Sequence, residues 1–383
     1  MKIEERWKNH KTPRENLVKQ IIIRRQPETK DHSDNPIVNY PSPQVNKVDL
    51  PMANHGKTWA AFRKAAASVS AWLDRELNDR LDAWNKSRNG LAPTRESVEK
   101  DLLGGRTPSG ADGAKSYLML YRSSTYPALT RLCDEGHIRR KHLMAPYVNS
   151  IALNITQSLT ATKTQGESPG MSGDESLDQS YNRHAALEEC EKSPFWKHLD
   201  LLRQDSPKYQ HVATRIREMF KQNKPQEPKE HMVLFAMHPV SCLITTMLLL
   251  NDFPDLRIRY IHASMPFQAN GSNHSRQAMI EALDDHDHHQ VFILTYDLGS
   301  VGLNLQQANH LIQLEEASNH ADATQAPARV HRRGQIRKTH LECLHDPRNI
   351  GEKSTVDKNK NRGAMSRLDF SEYTDPQSSQ ESG

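Results

Sequence analysis

Cysteine is scarce in this sequence, and its few occurrences match no metal-binding or disulfide pattern. The four cysteines are Cys133, Cys190, Cys242 and Cys343. None belongs to a CxxC pair, and no histidine stands at zinc-finger spacing from any of them. A structural zinc site and a disulfide framework are therefore not indicated, and we expect free thiols in a reducing compartment.

Long hydrophobic runs are also lacking. The N-terminus carries charges where a signal peptide needs an apolar core, so we do not expect secretion. Residues 233–250 approach the length of a membrane span, but polar side chains interrupt them and Pro239 divides them. A buried strand followed by a buried helix explains this stretch better, and we expect no membrane partner.

Apolar residues are few overall. They make up 36% of the 383 residues, and the mean hydropathy of -0.80 is strongly polar. Part of the chain must therefore be tail, linker or thinly covered helix. The formal net charge of +4 permits a nucleic-acid partner, but it is too small to establish one.

The first half of the chain has helical periodicity. Apolar positions step by threes and fours through residues 59–84, and the run closes at Asn89 and Gly90, which predicts a long amphipathic helix. Further helices are predicted within residues 115–132, with an interruption near Pro127, and within residues 146–159. Residues 161–181 are rich in Ser, Gly, Thr and acidic residues without apolar periodicity, which predicts a disordered insert.

The second half alternates short apolar runs with helical stretches. The runs are residues 232–237, 258–262, 291–296, 310–314 and 340–344. Strands that alternate with helices predict a parallel sheet with helices on both faces. Beyond Pro347 the chain becomes polar, which predicts an untethered tail.

Two motifs near the end of the chain carry the most specific signal. Gly299 and Gly302 closely follow a predicted strand, where glycines let the backbone approach a ligand, although a tight turn would also use them. Residues 325–335 then read Gln-Ala-Pro-Ala-Arg-Val-His-Arg-Arg-Gly-Gln. A helix over this segment would place Arg329 and Arg332 on one face, one turn apart, where they could bind a polyphosphate.

This succession resembles motifs V and VI in the second RecA-like lobe of the Swi/Snf-like ATPases, a family of superfamily 2 helicase-related proteins. Residues 295–305 resemble motif V, and residues 325–335 resemble motif VI with its closing Arg-x-His-Arg-x-Gly-Gln. Residues 233–235 resemble motif IV, and residues 276–280 resemble the helix after the next strand. Upstream, residues 21–50 resemble the family's passage out of its first lobe.

Three positions depart from the family pattern. Ser300 replaces the second of two paired glycines, and Ser318-Asn319-His320 stands where Trp-Asn-Pro is usual. Pro327 falls inside the predicted motif VI helix, at a cost of about 3 kcal/mol unless it lies in the first turn. A helix that begins near residue 324 or 325 would largely remove that cost.

The resemblance implies an α/β fold, with a parallel-sheet RecA-like lobe of the P-loop NTPase type preceded by a mainly helical region. The expected divisions are residues 1–52 as the end of the first lobe and a linker, 53–160 as a helical inter-lobe region, 161–185 as a disordered insert, 186–346 as the RecA-like lobe, and 347–383 as a disordered tail.

The resemblance also implies roles for particular residues. The catalytic residues would be Arg329 and Arg332, as arginine fingers on the γ-phosphate, and Gln325, which would orient their helix. Nucleotide-binding residues would be Gly302 and Asn304, and DNA-backbone contacts would come from Thr295, Gly299 and Ser300. No metal ligands are expected in the chain.

Two segments imitate the missing ATPase parts. Gly56-Lys57-Thr58 looks like the end of a phosphate-binding loop, but the leading glycine is replaced by Pro51. Asp134-Glu135-Gly136-His137 looks like a magnesium-binding box, but it ends a helical run and not a strand. We reject both, and we expect residues 284–289 to be a solvated loop. The basic clusters 139–142 and 332–333 could contact phosphates or be solvated faces.

The leading hypothesis is therefore the C-terminal helicase lobe of a Swi/Snf-like DNA-dependent ATPase. Its nucleotide would be ATP, with Mg²⁺ only if a first lobe is supplied, and we expect no hydrolysis by this chain alone. Double-stranded DNA or chromatin is the expected partner, a separate first-lobe polypeptide is a further candidate, and the expected location is nuclear. The alternative is a non-catalytic DNA- or chromatin-binding fragment.

Overall fold

The computed structural model describes residues 44–103, 112–160, 181–222, 228–267, 275–284, 287–299, 303–332 and 335–371, the last eleven by their backbone. Six parallel strands form one sheet in the order β1-β6-β5-β2-β4-β3. They are β1 (Gln44–Asp49), β2 (His231–Ala236), β3 (Arg257–Ile261), β4 (Gln290–Thr295), β5 (His310–Gln313) and β6 (His340–His345). The parallel strand order confirms the predicted α/β fold class with a parallel sheet.

Helices precede, cover and follow this sheet. They are α1 (Gly56–Ser87), α2 (Arg95–Leu103), α3 (Asp112–Arg122), α4 (Ala128–Asp134), α5 (Ala145–Thr160), α6 (Arg183–Glu191), α7 (Leu199–Gln204), α8 (Pro207–Gln222), α9 (Pro239–Asp252), α10 (Arg276–Glu281), α11 (Tyr296–Gly299), α12 (His320–Gln325), α13 (Pro327–Val330) and α14 (Ile350–Ser371). None of the helices in these described segments is long and apolar enough to span a bilayer.

The sheet separates two apolar cores. Successive side chains of a strand point to opposite faces, and the central strand β2 is buried throughout. Its Val233 and Phe235 join the core that also contains the motif V and motif VI segments. Its Met232 and Leu234 join the larger core beneath α5, α8 and α9. Burial on both faces explains why β2 is apolar at nearly every position.

The first helices form a third, smaller core. α1 and α3 pack closely because Gly113 has no side chain: a Cβ there would lie 2.1 Å from Cβ of Trp72. As the sequence predicts, α1 ends before Asn89. Its last turn closes at Arg88, which has a left-handed φ of 48° and donates its N–H to the carbonyl of Trp84.

The resemblance assigns residues 1–52 to the end of the first lobe and a linker, and within this range Gln44–Asp49 forms strand β1. Strand β1 pairs in parallel with β6 at the edge of the sheet, in the register Gln44 to His340 through Asp49 to His345. Its sequence alternates between exposed and half-buried positions because it is an edge strand. Residues 1–43 lie outside the described part.

The predicted tail also begins too early. Helix α14 starts at Ile350, and its inward face buries Glu352, Thr355, Val356 and Asn359. Three of these four side chains are polar, so the sequence of α14 has no apolar stripe from which a buried helix could be predicted. Gly351 allows the close approach, because a Cβ there would lie 2.9 Å from Cα of Tyr121.

The end of the predicted insert is ordered as well. The hydroxyl of Tyr181 accepts a hydrogen bond from the N–H of Ile258 at 3.0 Å. The side chain of Asn182 caps α6 by accepting from the N–H of Ala185 at 3.1 Å. Residues 181–185 therefore belong to the folded part, and the rest of the predicted insert, 161–180, lies outside the described residues.

Candidate nucleotide and nucleic-acid site

Motif V begins at the carboxyl end of β4. Thr295 is the last residue of that strand and is buried, and the single turn of α11 follows at once and ends at Gly299. The Tyr296 hydroxyl donates to the backbone carbonyl of Glu315 at 2.7 Å, which fixes this turn over the end of β5. Two predicted site residues, Ser300 and Gly302, lie outside the described residues.

Asn304 follows motif V's glycines, and its polar side chain is exposed. Leu303 and Leu305 are buried in the core, and Asn304 between them is exposed. The Asn304 Oδ1 atom accepts from the N–H of Gln306 at 3.4 Å, which holds the side chain next to its own backbone. Asn304 is therefore presented at the surface by buried neighbours on both sides.

Motif VI is not the continuous helix that the sequence predicts. α12 ends at Gln325, and α13 begins at Pro327 and ends at Val330. Arg329 lies on α13, whereas Arg332 lies beyond its end, so the two arginines do not share a helical face. Arg329 is half-buried, and Arg332 and Gln325 are exposed.

Pro327 explains this break. It has no N–H to donate to the carbonyl of Ala323, four residues earlier. That carbonyl instead accepts from Nε2 of Gln313 at 3.3 Å. Pro327 occupies the first position of α13, where a missing N–H is tolerated. The proline therefore divides motif VI into two short helices at little cost.

Motifs V and VI are joined by their backbones. The N–H of Leu305 donates to the carbonyl of Arg329 at 3.2 Å. Leu305, Ala326 and Val330 also share one apolar core. The structure thus places Asn304, predicted to bind nucleotide, directly beside the segment that carries Arg329.

Gln335 strengthens this junction, and the sequence analysis gave it no role. It is 4% exposed. Its Nε2 donates to the carbonyls of Gln306 at 2.8 Å and Ala308 at 2.9 Å, with a longer contact of 3.3 Å to Val330. Its position as the last residue of motif VI was the signal that could have identified it. Gln335 is a positioning residue, because it acts through the backbone of both motifs.

His331 contributes no positive charge to the site at neutral pH. Its burial lowers the pKa of the imidazole below the ordinary value. Its Nδ1 lies 3.3 Å from Oγ1 of Thr339. Among the described residues of this segment, Arg329 and Arg332 are the arginines.

Glu315 organises the neighbouring part of the sheet edge and was also missed. It follows β5 and is 3% exposed. Its carboxylate accepts four hydrogen bonds, from Thr125 Oγ1 at 2.7 Å, Ser241 Oγ at 2.5 Å, the N–H of Met237 at 2.7 Å and the N–H of His238 at 3.1 Å. An acidic residue directly after an apolar strand was the available signal. Here the carboxylate ties the start of α9 to the turn before α4.

The two segments that look like ATPase motifs, residues 56–58 and 134–137, form hydrogen bonds and ion pairs within the fold. The Thr58 hydroxyl donates to the carboxylate of Asp205. Asp134 pairs with Lys64 at 2.7 Å, and Glu135 pairs with Arg131 at 2.9 Å. Among the residues that the structure describes, no group of three or more His, Cys, Asp or Glu side chains could hold a metal ion.

Comparison with known proteins identifies the class. Residues 213–334 match the family model of the helicase conserved C-terminal domain. The chain is 27% identical over 156 residues to the ATP-dependent helicase fft1 of Schizosaccharomyces pombe, which covers 41% of this chain and 15% of fft1. It is 29% identical over 143 residues to the putative helicase 172L of Invertebrate iridescent virus 6, covering 37% of this chain and 22% of that protein.

Two solved structures are similar to this chain at lower identity. The C-terminal part of the Fun30 ATPase domain has a TM-score of 0.46 and 15% identity, over 87% of this chain and 100% of that one. The Hef helicase domain of Pyrococcus furiosus has a TM-score of 0.39 and 13% identity, over 85% of this chain and 59% of that one.

Residues 213–334 are therefore similar in sequence to a helicase conserved C-terminal domain. The family match confirms the recognition of this lobe from motifs V and VI. Within that class, the closing Arg-x-His-Arg-x-Gly-Gln resembles the Swi/Snf-like members. The chain spans less than a quarter of the length of either curated relative.

Proposed function

We propose that this chain supplies the second lobe of a Swi/Snf-like DNA-dependent ATPase. The observation that carries the proposal is the junction of motifs V and VI, where the Leu305 N–H donates to the Arg329 carbonyl and the Gln335 side chain donates to Gln306, directly after motif V. A junction fixed before the ligand binds suits electrostatic catalysis, which needs preorganised charges.

Arg329 and Arg332 would act as arginine fingers, but by different routes. Arg329 is half-buried on α13, and its backbone carbonyl accepts a hydrogen bond from the N–H of Leu305. Its guanidinium would therefore contact the nucleotide from a backbone position that is already fixed. Arg332 is exposed after the helix ends and would settle onto the γ-phosphate when the cleft closes. Gln325, the last residue of α12, would orient this segment.

The nucleotide would be ATP, and Gly302 and Asn304 would line its side of the cleft. The printed name of fft1, an ATP-dependent helicase, supports this assignment. Arginine fingers stabilise transferring charge only when a nucleotide and its metal are already bound. Phosphate-binding and Mg²⁺-binding groups would therefore come from a first lobe, which could be a separate polypeptide.

The DNA partner would meet the carboxyl end of β4. Thr295, Gly299 and Ser300 would contact the phosphate backbone there, since a glycine-containing turn exposes backbone N–H groups to anions. Duplex DNA or chromatin in the nucleus is the proposed setting.

Measurements of ATP turnover with and without duplex DNA test this proposal. We expect no DNA-stimulated turnover by these 383 residues, and duplex binding that does not need ATP. Addition of a helicase first lobe should produce turnover that Arg332→Ala abolishes. Robust turnover by the chain alone that Arg332→Ala removes would overturn the proposed need for a first lobe. Absence of duplex binding would overturn the DNA assignment.

A second candidate is a non-catalytic DNA- or chromatin-binding protein. The separation of Arg329 and Arg332 by the end of α13 favours it, because the two guanidinium groups are not held on one helical face. It predicts that Arg329→Ala leaves DNA binding unchanged and that no first lobe produces turnover.

A further inference from the structure

A polar cleft opens in the helical region, between α1, α3, α4 and the short 3₁₀ helix Arg140–Leu143. Its volume is about 290 Å³. The polar side chains that line it come from all four elements: Lys64, Ser68, Ser116, Thr130, Asp134 and Arg140. None of them belongs to motif V or motif VI, so the cleft is a feature separate from the proposed nucleotide site.

The charges around the cleft do not balance. Lys64 is paired with Asp134 at 2.7 Å, and Lys115 at the rim is paired with Asp112 at 2.9 Å. In contrast, no carboxylate of the described residues lies within ion-pair distance of Arg140. Arg140 therefore leaves the cleft with a net positive charge.

The flanking residues extend this positive charge. Arg139 and Lys141 are exposed on either side of Arg140. Partial burial lowers the pKa of His142, and the charges of Lys141 and Arg139 lower it further. The hydrogen bond from Lys115 lowers the pKa of Asp112, and Arg140 adds to that effect.

Neutral donors accompany the cations. The Ser116 hydroxyl donates to Oγ of Ser68 at 3.2 Å, so the Ser68 hydroxyl keeps its own proton for another acceptor. A phosphate group combines negative charge with several acceptor oxygens, and it is bound in proteins by arginine, lysine and hydroxyl groups together. The cleft offers this combination.

We propose that this cleft binds a phosphate group of a nucleic-acid backbone, with Arg140 as its principal cation and the Ser68 hydroxyl as a further donor. The proposal rests on the proposed function for the polymer, duplex DNA. It gives a role to the basic cluster at 139–142, for which the sequence leaves both phosphate contact and simple solvation open. The contact would anchor the duplex without selecting its sequence.

Duplex binding by the full chain, measured by fluorescence anisotropy over a series of salt concentrations, tests this proposal. Each phosphate neutralised adds about 0.9 to the slope of log affinity against log salt. We expect Arg140→Gln to weaken binding several-fold at low salt and to lower the slope by about 1 on any sequence. Lys86→Gln removes the same charge from the far end of α1 and should leave both quantities unchanged.

A second variant tests the cleft itself. Ser116→Asp would place a carboxylate among the cations and should weaken binding at least as much as Arg140→Gln. Ser150→Asp, at an exposed position of α5, is its matched control. Circular dichroism of each variant would establish that the fold is retained.

The outcomes separate this inference from the proposed function. If the wild-type chain binds no duplex, the DNA assignment fails and this inference fails with it. If the chain binds duplex but Arg140→Gln and Lys86→Gln behave alike, this inference alone is overturned. If inorganic phosphate raises the unfolding temperature of the wild type more than that of Arg140→Gln at equal ionic strength, while Arg140→Gln leaves duplex binding unchanged, the site takes free phosphate and the nucleic-acid assignment is overturned.

Discussion

Lys208 and Glu352 form a fully buried ion pair, with 2.6 Å between Nζ and Oε1. Their side chains are 1% and 2% exposed. Nζ of Lys208 also donates to the carbonyl of Leu314 at 2.7 Å, and Oε2 of Glu352 accepts from Ser124 at 3.0 Å and from the N–H of Asp346 at 2.9 Å. One pair thus joins α8, α14, the end of β5 and the turn before α4.

Breaking this pair should destabilise the whole lobe. Lys208→Met would leave the charge of Glu352 buried without its positive partner, at a cost of about 3–5 kcal/mol in the free energy of unfolding. Adding Glu352→Gln should recover part of that loss. Lys192→Met is the control, since its pair with Glu189 lies at the surface and should be worth at most about 1 kcal/mol. Urea unfolding measures all four proteins, and equal losses for Lys208→Met and Lys192→Met would contradict the prediction.

The same pair predicts which part of α14 contributes most to stability. Removal of residues 361–383 leaves Glu352, Thr355 and Asn359 in place, so it should lower the unfolding temperature less than removal of the whole helix. Removal of residues 350–383 leaves Lys208 buried without its carboxylate and should cost at least about 3 kcal/mol. Thermal unfolding of the two truncated chains checks this. If both truncations had the same small effect, α14 would be dispensable, as the sequence-based boundary at residue 347 implies.

The strands of the sheet can be predicted from the sequence, whereas the buried polar side chains that pack against the sheet cannot. The predicted bounds of strands β2 to β6 agree with the structure to about two residues. Buried parallel strands are apolar on both faces, so they stand out in the sequence as short apolar runs. Helix α14 was missed because Glu352 and Asn359 are buried through specific hydrogen bonds, which leave no hydrophobic pattern. Such bonds depend on distant partners: Ala317 is 42 positions from Asn359, and Lys208 is 144 positions from Glu352.

The candidate site shows the same division. The motifs located Arg329, Arg332 and Asn304, but they did not give the shape of the segment. The sequence identified Pro327 as a problem for a helix, whereas the solution depends on Gln313, which takes over the freed carbonyl of Ala323. Gln313 lies on β5 and Ala323 on α12, so no pattern within the helix could predict this hydrogen bond.

Loss of Gln335 should loosen motif VI from motif V. Gln335→Ala would leave the buried carbonyl of Ala308 without this donor, at a cost of about 1–3 kcal/mol. Amide hydrogen exchange at Leu305, whose N–H bonds to Arg329, should become faster. Gln306→Ala is the matched control, because Gln306 enters this contact through its backbone carbonyl. Unchanged exchange at Leu305 in the Gln335 variant would show that the apolar core alone holds the junction.

Acid should destabilise the lobe through Glu342 on β6, whose side chain is 7% exposed. Burial acts to raise the pKa of Glu342, but hydrogen bonds from His211 and Arg215 outweigh it and lower the pKa from its ordinary value of 4.5 to about 2. Because the folded pKa is the lower one, this stabilisation is complete above about pH 4.5 and is lost as the pH falls towards about 2. Each pKa unit corresponds to about 1.4 kcal/mol, so the loss is on the order of 3 kcal/mol. Urea unfolding at a series of pH values should give a flatter curve for Glu342→Gln in this window, whereas the exposed Glu188→Gln should follow the wild type. Parallel curves for Glu342→Gln and the wild type would assign the acid sensitivity to other carboxylates.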